Sequence, residues 1–85
     1  MRNQPQRLSP ADIFVQTRNL DMLKGVSRAS VTYIKRDGKQ SSSTGTVAFF
    51  NGRPGFDTGS VTIETTDKGP RTINLHRIIS VIPVE

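Results

Sequence analysis

Residues 70–84, PRTINLHRIISVIPV, constrain the fold more than any other stretch of this chain. Residues 71–75 alternate polar and apolar side chains, and residues 78–82 are rich in β-branched residues, which favour extended backbone. A turn signal, DKGP, comes directly before them at residues 67–70. The pattern predicts a strand returning from a hairpin, a tight corner at His76, and a closing strand.

The preceding part of the chain contains three further strand patterns. Residues 29–36 alternate in the way a half-buried strand does, and Asp37–Gly38 after them is a signal for a two-residue hairpin turn. A second strand is predicted from about residue 39 to residue 50, with a bulge or bend at Gly45. Residues 51–59, NGRPGFDTG, have the composition of a loop, and residues 60–66 predict a third strand.

A helix is predicted before the strands. Ser9 is a suitable N-cap, Pro10 suits the first helical position, and Asp12 favours the positive end of the helix dipole. The apolar residues at 13, 14, 15, 20, 22 and 23 form no single stripe. We therefore expect two to three turns from Pro10, a short second turn or kink near residues 20–24, and a stop at Gly25. Residues 1–8 are polar and predict a flexible tail.

These elements predict a mainly β (α+β) chain with one domain over residues 9–85. Its N-terminal helix would precede a five-stranded, strongly bent antiparallel small barrel. The chain has 85 residues and no cysteine, so neither a disulfide nor a thiolate metal site can stabilise so small a core. It contains no long apolar run, which predicts no signal peptide and no membrane span. The absence of cysteine fits a reducing cytoplasm, so we expect a cytoplasmic location.

The charge balance points to a polyanionic partner. Twelve Lys and Arg against seven Asp and Glu give a net charge of +5, and nucleic acid is the commonest partner of such a small basic domain. No nucleophile motif accompanies the single histidine, and the glycine-rich loop lacks the P-loop lysine. We therefore expect no enzyme, no cofactor, no metal and no small-molecule substrate.

The aromatic residues and His76 each allow two interpretations. A core position is the default for the aromatic residues in a small barrel. Phe49 and Phe50 are adjacent, so they point to opposite faces of a strand, and the outward one would be a stacking platform for a base or a subunit contact. His76 is either a corner residue that hydrogen-bonds a nearby carbonyl or a ligand-facing group flanked by Asn74 and Arg77. The aromatic residues are Phe14, Tyr33, Phe49, Phe50 and Phe56.

Four segments resemble one known family. Residues 12–16 (DIFVQ) are similar to a helix motif with an aspartate before a buried phenylalanine, and residues 31–38 to a first strand and its Asn-Gly turn. Residues 45–51 (GTVAFFN) resemble a bent second strand, and residues 73–83 (INLHRIISVIP) a signature around Tyr-Lys-His. The family is the Sm-like family, and within it the Hfq RNA chaperones. The lysine, tyrosine and glutamine of that family are replaced here by Leu75, Asn74 and Ala11.

The resemblance implies a homohexameric ring that binds single-stranded U-rich or A-rich RNA and promotes RNA–RNA annealing. Its subunits would pair the fourth strand of one copy with the fifth of the next. On the pore face it implies RNA contacts by His76, Asn74, Arg77, Phe50, Asn51 and Phe56. On the other face or rim it implies contacts by Tyr33, Lys35, Arg18 and Arg28.

Two other functions fit the same barrel. An SH3-like protein-interaction module would be monomeric or dimeric and would show no salt-dependent RNA binding. A small-barrel DNA-binding protein would prefer duplex over single strands, but the chain lacks a basic recognition helix.

Overall fold

The computed structural model describes residues 4–84 and contains one helix, five strands and one short 3-10 turn. The predicted order of elements is confirmed. The turn between the last two strands, Leu75–Arg77, is called the corner below. The elements are α1 (Pro10–Leu23), β1 (Arg28–Ile34), β2 (Gln40–Asn51), β3 (Ser60–Thr65), β4 (Gly69–Asn74), the corner (Leu75–Arg77) and β5 (Ile78–Pro83).

The helix is longer than the sequence predicted. It begins as expected, because the Ser9 hydroxyl accepts a hydrogen bond from the Asp12 amide at 3.2 Å. It then continues as one unbroken element through 14 residues, from Pro10 to Leu23. Its buried residues are Gln16, Asn19 and Leu23. Two of these three buried positions thus hold amide side chains, whereas an apolar stripe would place hydrophobic residues there. The prediction of a short helix with a kinked extension is therefore wrong.

The five strands form one antiparallel sheet in the order β4-β3-β2-β1-β5. The first four strands form a meander, and β5 returns to pair with β1. Among the described residues, β4 and β5 are therefore the two edge strands, and each leaves one row of backbone groups without a strand partner.

The sheet bends at a glycine and at two irregularities. At Gly45 a Cβ atom would collide with the backbone of Glu64 and Thr65, so this close approach of β2 to its paired strand β3 needs glycine. The register shifts between Val47 and Phe49 on β2 and between Thr32 and Tyr33 on β1. Such bulges increase strand twist, and they account for the curl of so small a sheet.

The β1–β2 turn differs from the predicted two-residue turn. Lys35 and Lys39 still pair, with the Lys35 amide donating to the Lys39 carbonyl at 2.8 Å, so three residues form the turn. Gly38 has φ +85°, which places it as the left-handed third residue of a bulged hairpin loop. The Asp37 carboxylate accepts a hydrogen bond from the Lys39 amide at 2.9 Å.

The core is aliphatic rather than aromatic. Phe14, Phe49 and Phe50 are 68%, 52% and 39% exposed, so the default core assignment is wrong for all three. The bulge at Ala48 shifts the register just before Phe49 and Phe50, and β1 no longer pairs with that end of β2. The buried apolar residues are Leu23, Ala29, Val31, Val61, Ile63, Ile73, Leu75, Ile78 and Val81.

Part of the predicted tail is bonded to the barrel. The Asp57 amide donates to the Gln6 carbonyl, and the Leu8 amide donates to the Gly55 carbonyl, both at 2.9 Å. Residues 6–8 thus lie along the loop between β2 and β3. Residues 1–3 of the predicted tail lie outside the described residues.

Candidate nucleic-acid interface

The corner is held in place by Asn19 of α1. Its side-chain nitrogen donates to the carbonyl oxygens of Leu75 at 2.8 Å and Ile78 at 2.9 Å, which are the first residue of the corner and the residue directly after it. Asn19 is 2% exposed, so these bonds form away from water, where an unpaired carbonyl is costly. The helix therefore fixes the direction in which Asn74, His76 and Arg77 leave the barrel.

A cleft of about 380 Å³ lies between the end of β1, the end of β4 and the corner. β1 and β4 are separated by two strands in the sheet, so the curl of the sheet brings them together. The cleft is called the basic cleft, because three of its eight lining residues are cationic and none is acidic. The lining residues are Tyr33, Ile34, Lys35, Arg36, Thr72, Ile73, Asn74 and Arg77.

Tyr33 is half-buried at this cleft, and its hydroxyl lies 3.4 Å from the Ser43 hydroxyl. Hydrogen bonding by Ser43 lowers the pKa of Tyr33, against the opposing effect of burial. Ser41 and the positive charges of Arg71 and Lys35 lower that pKa further. The hydrogen bonds and the two positive charges each stabilise the phenolate form of this side chain.

His76 lies in the corner, beside the basic cleft rather than among its lining residues. Its Nδ1 atom is buried without a hydrogen-bond partner among the described residues. The pKa of His76 is lowered, first by burial and then by the charge of Arg77, while Asp12 and Asp57 act in the opposite direction. Burial therefore favours the neutral imidazole, and a neutral ring can donate one hydrogen bond and accept another.

A second cationic group lies on the loop between β2 and β3. The guanidinium carbon of Arg53 lies 4.9 Å from the centre of the Phe56 ring, and that of Arg7 lies 5.6 Å from it. Both distances are in the range of cation–π contacts. Phe56 is thus half-buried under two arginines. Arg7 lies in the segment predicted as a flexible tail, and Arg53 was not a predicted contact.

The remaining predicted residues are dispersed. Asn51 lines a separate small cleft of about 70 Å³ with Gln16, and Phe50 is exposed near the end of β2. Arg18 is exposed on α1 between Phe14 and Met22, and Arg28 is exposed at the start of β1. The structure therefore joins Asn74 and Arg77 of one predicted face with Tyr33 and Lys35 of the other.

Sequence reasoning missed several residues of this interface. Arg36 and Thr72 line the basic cleft, and Arg36 had a usable signal, because it lies between Lys35 and a turn. Gln16 and Asn19 also had one, since amides three residues apart lie on the same helix face as Leu23. Arg53 had none beyond its position in the loop.

Two general features of the described residues bear on the kind of site. Residues 4–84 contain no cluster of three His, Cys, Asp or Glu side chains that could hold a metal ion. No helix in this range is both long and apolar enough to cross a membrane.

Comparison with known proteins identifies the fold. No protein-family model matches the chain, and no curated protein sequence matches it. A solved structure does: XC5848 from Xanthomonas campestris, described as adopting a novel variant of the Sm-like motif, is 26% identical with a TM-score of 0.69. The alignment covers 96% of each chain. The predicted Sm-like fold is confirmed, and the narrower assignment to the Hfq chaperones stays a prediction.

Proposed function

We propose that this chain, which has the Sm-like fold, is a cytoplasmic, Hfq-like RNA chaperone that binds single-stranded RNA in the basic cleft. The observation that carries the proposal is the convergence of Lys35, Arg36 and Arg77 on one cleft without an acidic residue in its lining. Cations gathered in this way attract the phosphate backbone.

The other groups in the cleft suit a single strand better than a duplex. Asn74 carries both a donor and an acceptor, and Thr72 carries a hydroxyl, so both can bond to exposed base edges. A duplex hides most of these edges within its base pairs. α1 contains one cation, Arg18, and two acidic residues, Asp12 and Asp21, so the helix does not resemble a basic recognition helix for a DNA groove.

The edge strands suit the ring part of the proposal. β4 and β5 each have a free edge among the described residues, and the Sm-like resemblance implies that neighbouring subunits join these edges. A closed ring would repeat the basic cleft once per subunit, which raises the effective concentration of the site for a long RNA. Two RNAs held on one ring would then meet at high local concentration and anneal.

The first test is the solution mass by light scattering, followed by titration with U-rich RNA, A-rich RNA and a DNA duplex at several salt concentrations. We expect a ring and a preference for single-stranded RNA. Lys35→Gln should reduce the slope of log affinity against log salt by about 0.7, the value for one phosphate contact in a single strand. Lys68→Gln, which removes the same charge from the β3–β4 turn, is the matched control. A monomer that binds no RNA, or equal effects of the two variants, would refute the proposal.

A protein-interaction module remains the alternative, and one observation favours it. Phe14 and Met22 are exposed on α1 and line a mainly apolar cleft of about 400 Å³. A monomeric chain without salt-dependent RNA binding would favour this alternative.

A further inference from the structure

The loop between β2 and β3 is bound on both sides by other parts of the chain. On one side the Asp57 carboxylate accepts a hydrogen bond from the Gln6 amide at 3.0 Å, and Arg7 forms an isolated β-bridge with Phe56. On the other side the Gln16 side chain of α1 donates to the Phe56 carbonyl at 2.9 Å and accepts from the Gly55 amide at 2.7 Å. These contacts hold the loop between residues 6–7 on one side and α1 on the other.

Two cations contact one aromatic ring of this loop. The guanidinium groups of Arg7 and Arg53 both lie over Phe56, and both arginine residues are exposed. A guanidinium that rests its face on a ring keeps its N–H groups directed outward in its own plane. Asp57, the acidic residue of this loop, already accepts the hydrogen bond from Gln6.

The same loop is joined to the corner. The Leu75 amide donates to the Gly59 carbonyl at 3.0 Å, so the end of the loop contacts the first residue of the corner. Asp57 also acts on the pKa of His76, which places the loop within electrostatic reach of that residue. The end of the loop contacts the corner at Leu75, and the basic cleft adjoins it at Asn74 and Arg77, so both sites meet the same turn.

We propose that Arg7 and Arg53, supported by Phe56, form a second RNA contact that binds phosphate groups of a strand leaving the basic cleft. The proposal rests on the proposed function. Planar guanidinium groups match phosphate oxygens with paired hydrogen bonds. Contact with the Phe56 ring restricts both side chains before RNA binds, which reduces the side-chain entropy that binding would otherwise cost. Phe56 then serves as the support for the two cations and does not itself stack on a base.

The experiment compares two lengths of single-stranded RNA on the full chain. Small nucleic-acid-binding barrels cover roughly 4–16 nucleotides, so oligonucleotides of about 6 and about 18 nucleotides separate the basic cleft from the second contact. We expect the Arg7→Gln, Arg53→Gln double variant to lower the salt slope for the long RNA by about 1.4, because two phosphate contacts are lost at about 0.7 each. Binding of the short RNA should not change.

Two further variants separate charge from placement. Arg7→Lys with Arg53→Lys keeps both charges, so the salt slope should stay near that of the wild type while affinity for the long RNA falls. Phe56→Leu keeps an apolar side chain without a π-face, and it should lower the same affinity with both arginines present. The melting temperature of each variant shows whether that variant is still folded.

The outcomes distinguish this inference from the proposed function. If the wild type binds no RNA, the proposed function fails. If the wild type binds RNA but the double glutamine variant has an unchanged slope with the long RNA, the basic cleft stands and the second contact is refuted. A similar decrease of the salt slope with the short RNA would also refute the second contact, since the two arginines would then belong to the basic cleft.

Discussion

Replacing Asn19 tests whether the corner is held by the two hydrogen bonds from α1. Its side-chain nitrogen bonds the carbonyls of Leu75 and Ile78. Removing one partner of a buried hydrogen bond costs about 1–3 kcal/mol. The Leu75 carbonyl also accepts a hydrogen bond from the backbone amide of Ile78. The cost of losing the Asn19 bond to that carbonyl therefore lies at the lower end of this range. We expect Asn19→Ala to lose about 2–4 kcal/mol of unfolding free energy in total.

That loss is a large fraction of what a chain of this size has. At about 0.05–0.15 kcal/mol per residue, its whole stability is on the order of 4–13 kcal/mol. A loss of 1 kcal/mol lowers the melting temperature of such a domain by roughly 4–8 °C. The assay is urea unfolding at one fixed protomer concentration, because any assembly would add to the apparent stability. The midpoint should fall with an unchanged slope.

Two variants make the test specific. Asn19→Leu fills a similar volume without a donor, so it should be destabilised about as much as Asn19→Ala. Asn51→Ala removes the same side chain from an exposed position and should change stability by less than about 0.5 kcal/mol. If Asn19→Leu restored wild-type stability, the side chain would matter through packing alone and the hydrogen-bond argument would be refuted.

Four further predictions concern other parts of the chain. His76→Ala should weaken binding of U-rich RNA with the assembly intact, as titration and light scattering would show; unchanged affinity in a folded variant would remove His76 from the site. Because the folded pKa of His76 lies below its unfolded value of about 6.5, the unfolded state binds the proton first. Stability should therefore fall as the pH drops through about 6.5, and His76→Gln should reduce that fall in urea unfolding at about pH 7.5 and about pH 5.5, about one pH unit above and below the unfolded value. Gly45→Ala should cost about 1–3 kcal/mol or more, because its Cβ would meet the Glu64 backbone, and a urea midpoint equal to that of wild type would contradict this. Gln16→Ala should free the loop at Phe56, so that hydrogen exchange there speeds up while the sheet stays protected; equal exchange would contradict that role.

The strands and the corner were predictable because their signals are local. The β-branched residues of β5 and the turn residues before β4 each specify extended or turning backbone without reference to the rest of the chain. Gly45 carried a similar signal, since a glycine within a strand pattern indicates a bend.

The helix and the cleft were harder to predict because they depend on distant partners. Asn19 extends α1 by bonding carbonyls at Leu75 and Ile78, a contact that no helix-period pattern contains. The exposure of Phe49 and Phe50 follows from a bulge set by the pairing with β3. Asn74 and Tyr33 were predicted on two different faces, but the curl of the sheet brings them into one cleft. The strand patterns in the sequence do not determine how strongly the sheet curls.

The meander order of the sheet has a consequence for how the chain folds. Three of the four strand pairs join neighbours in sequence, whereas the β1–β5 pair joins Tyr33 to Ile78 and closes most of the chain into a loop. That closure loses chain entropy before its contacts compensate. We therefore expect the β1–β4 meander to form early in the transition state and β5 to dock late, together with the corner that Asn19 holds. On this view, truncating Val81 would speed unfolding and leave the folding rate nearly unchanged.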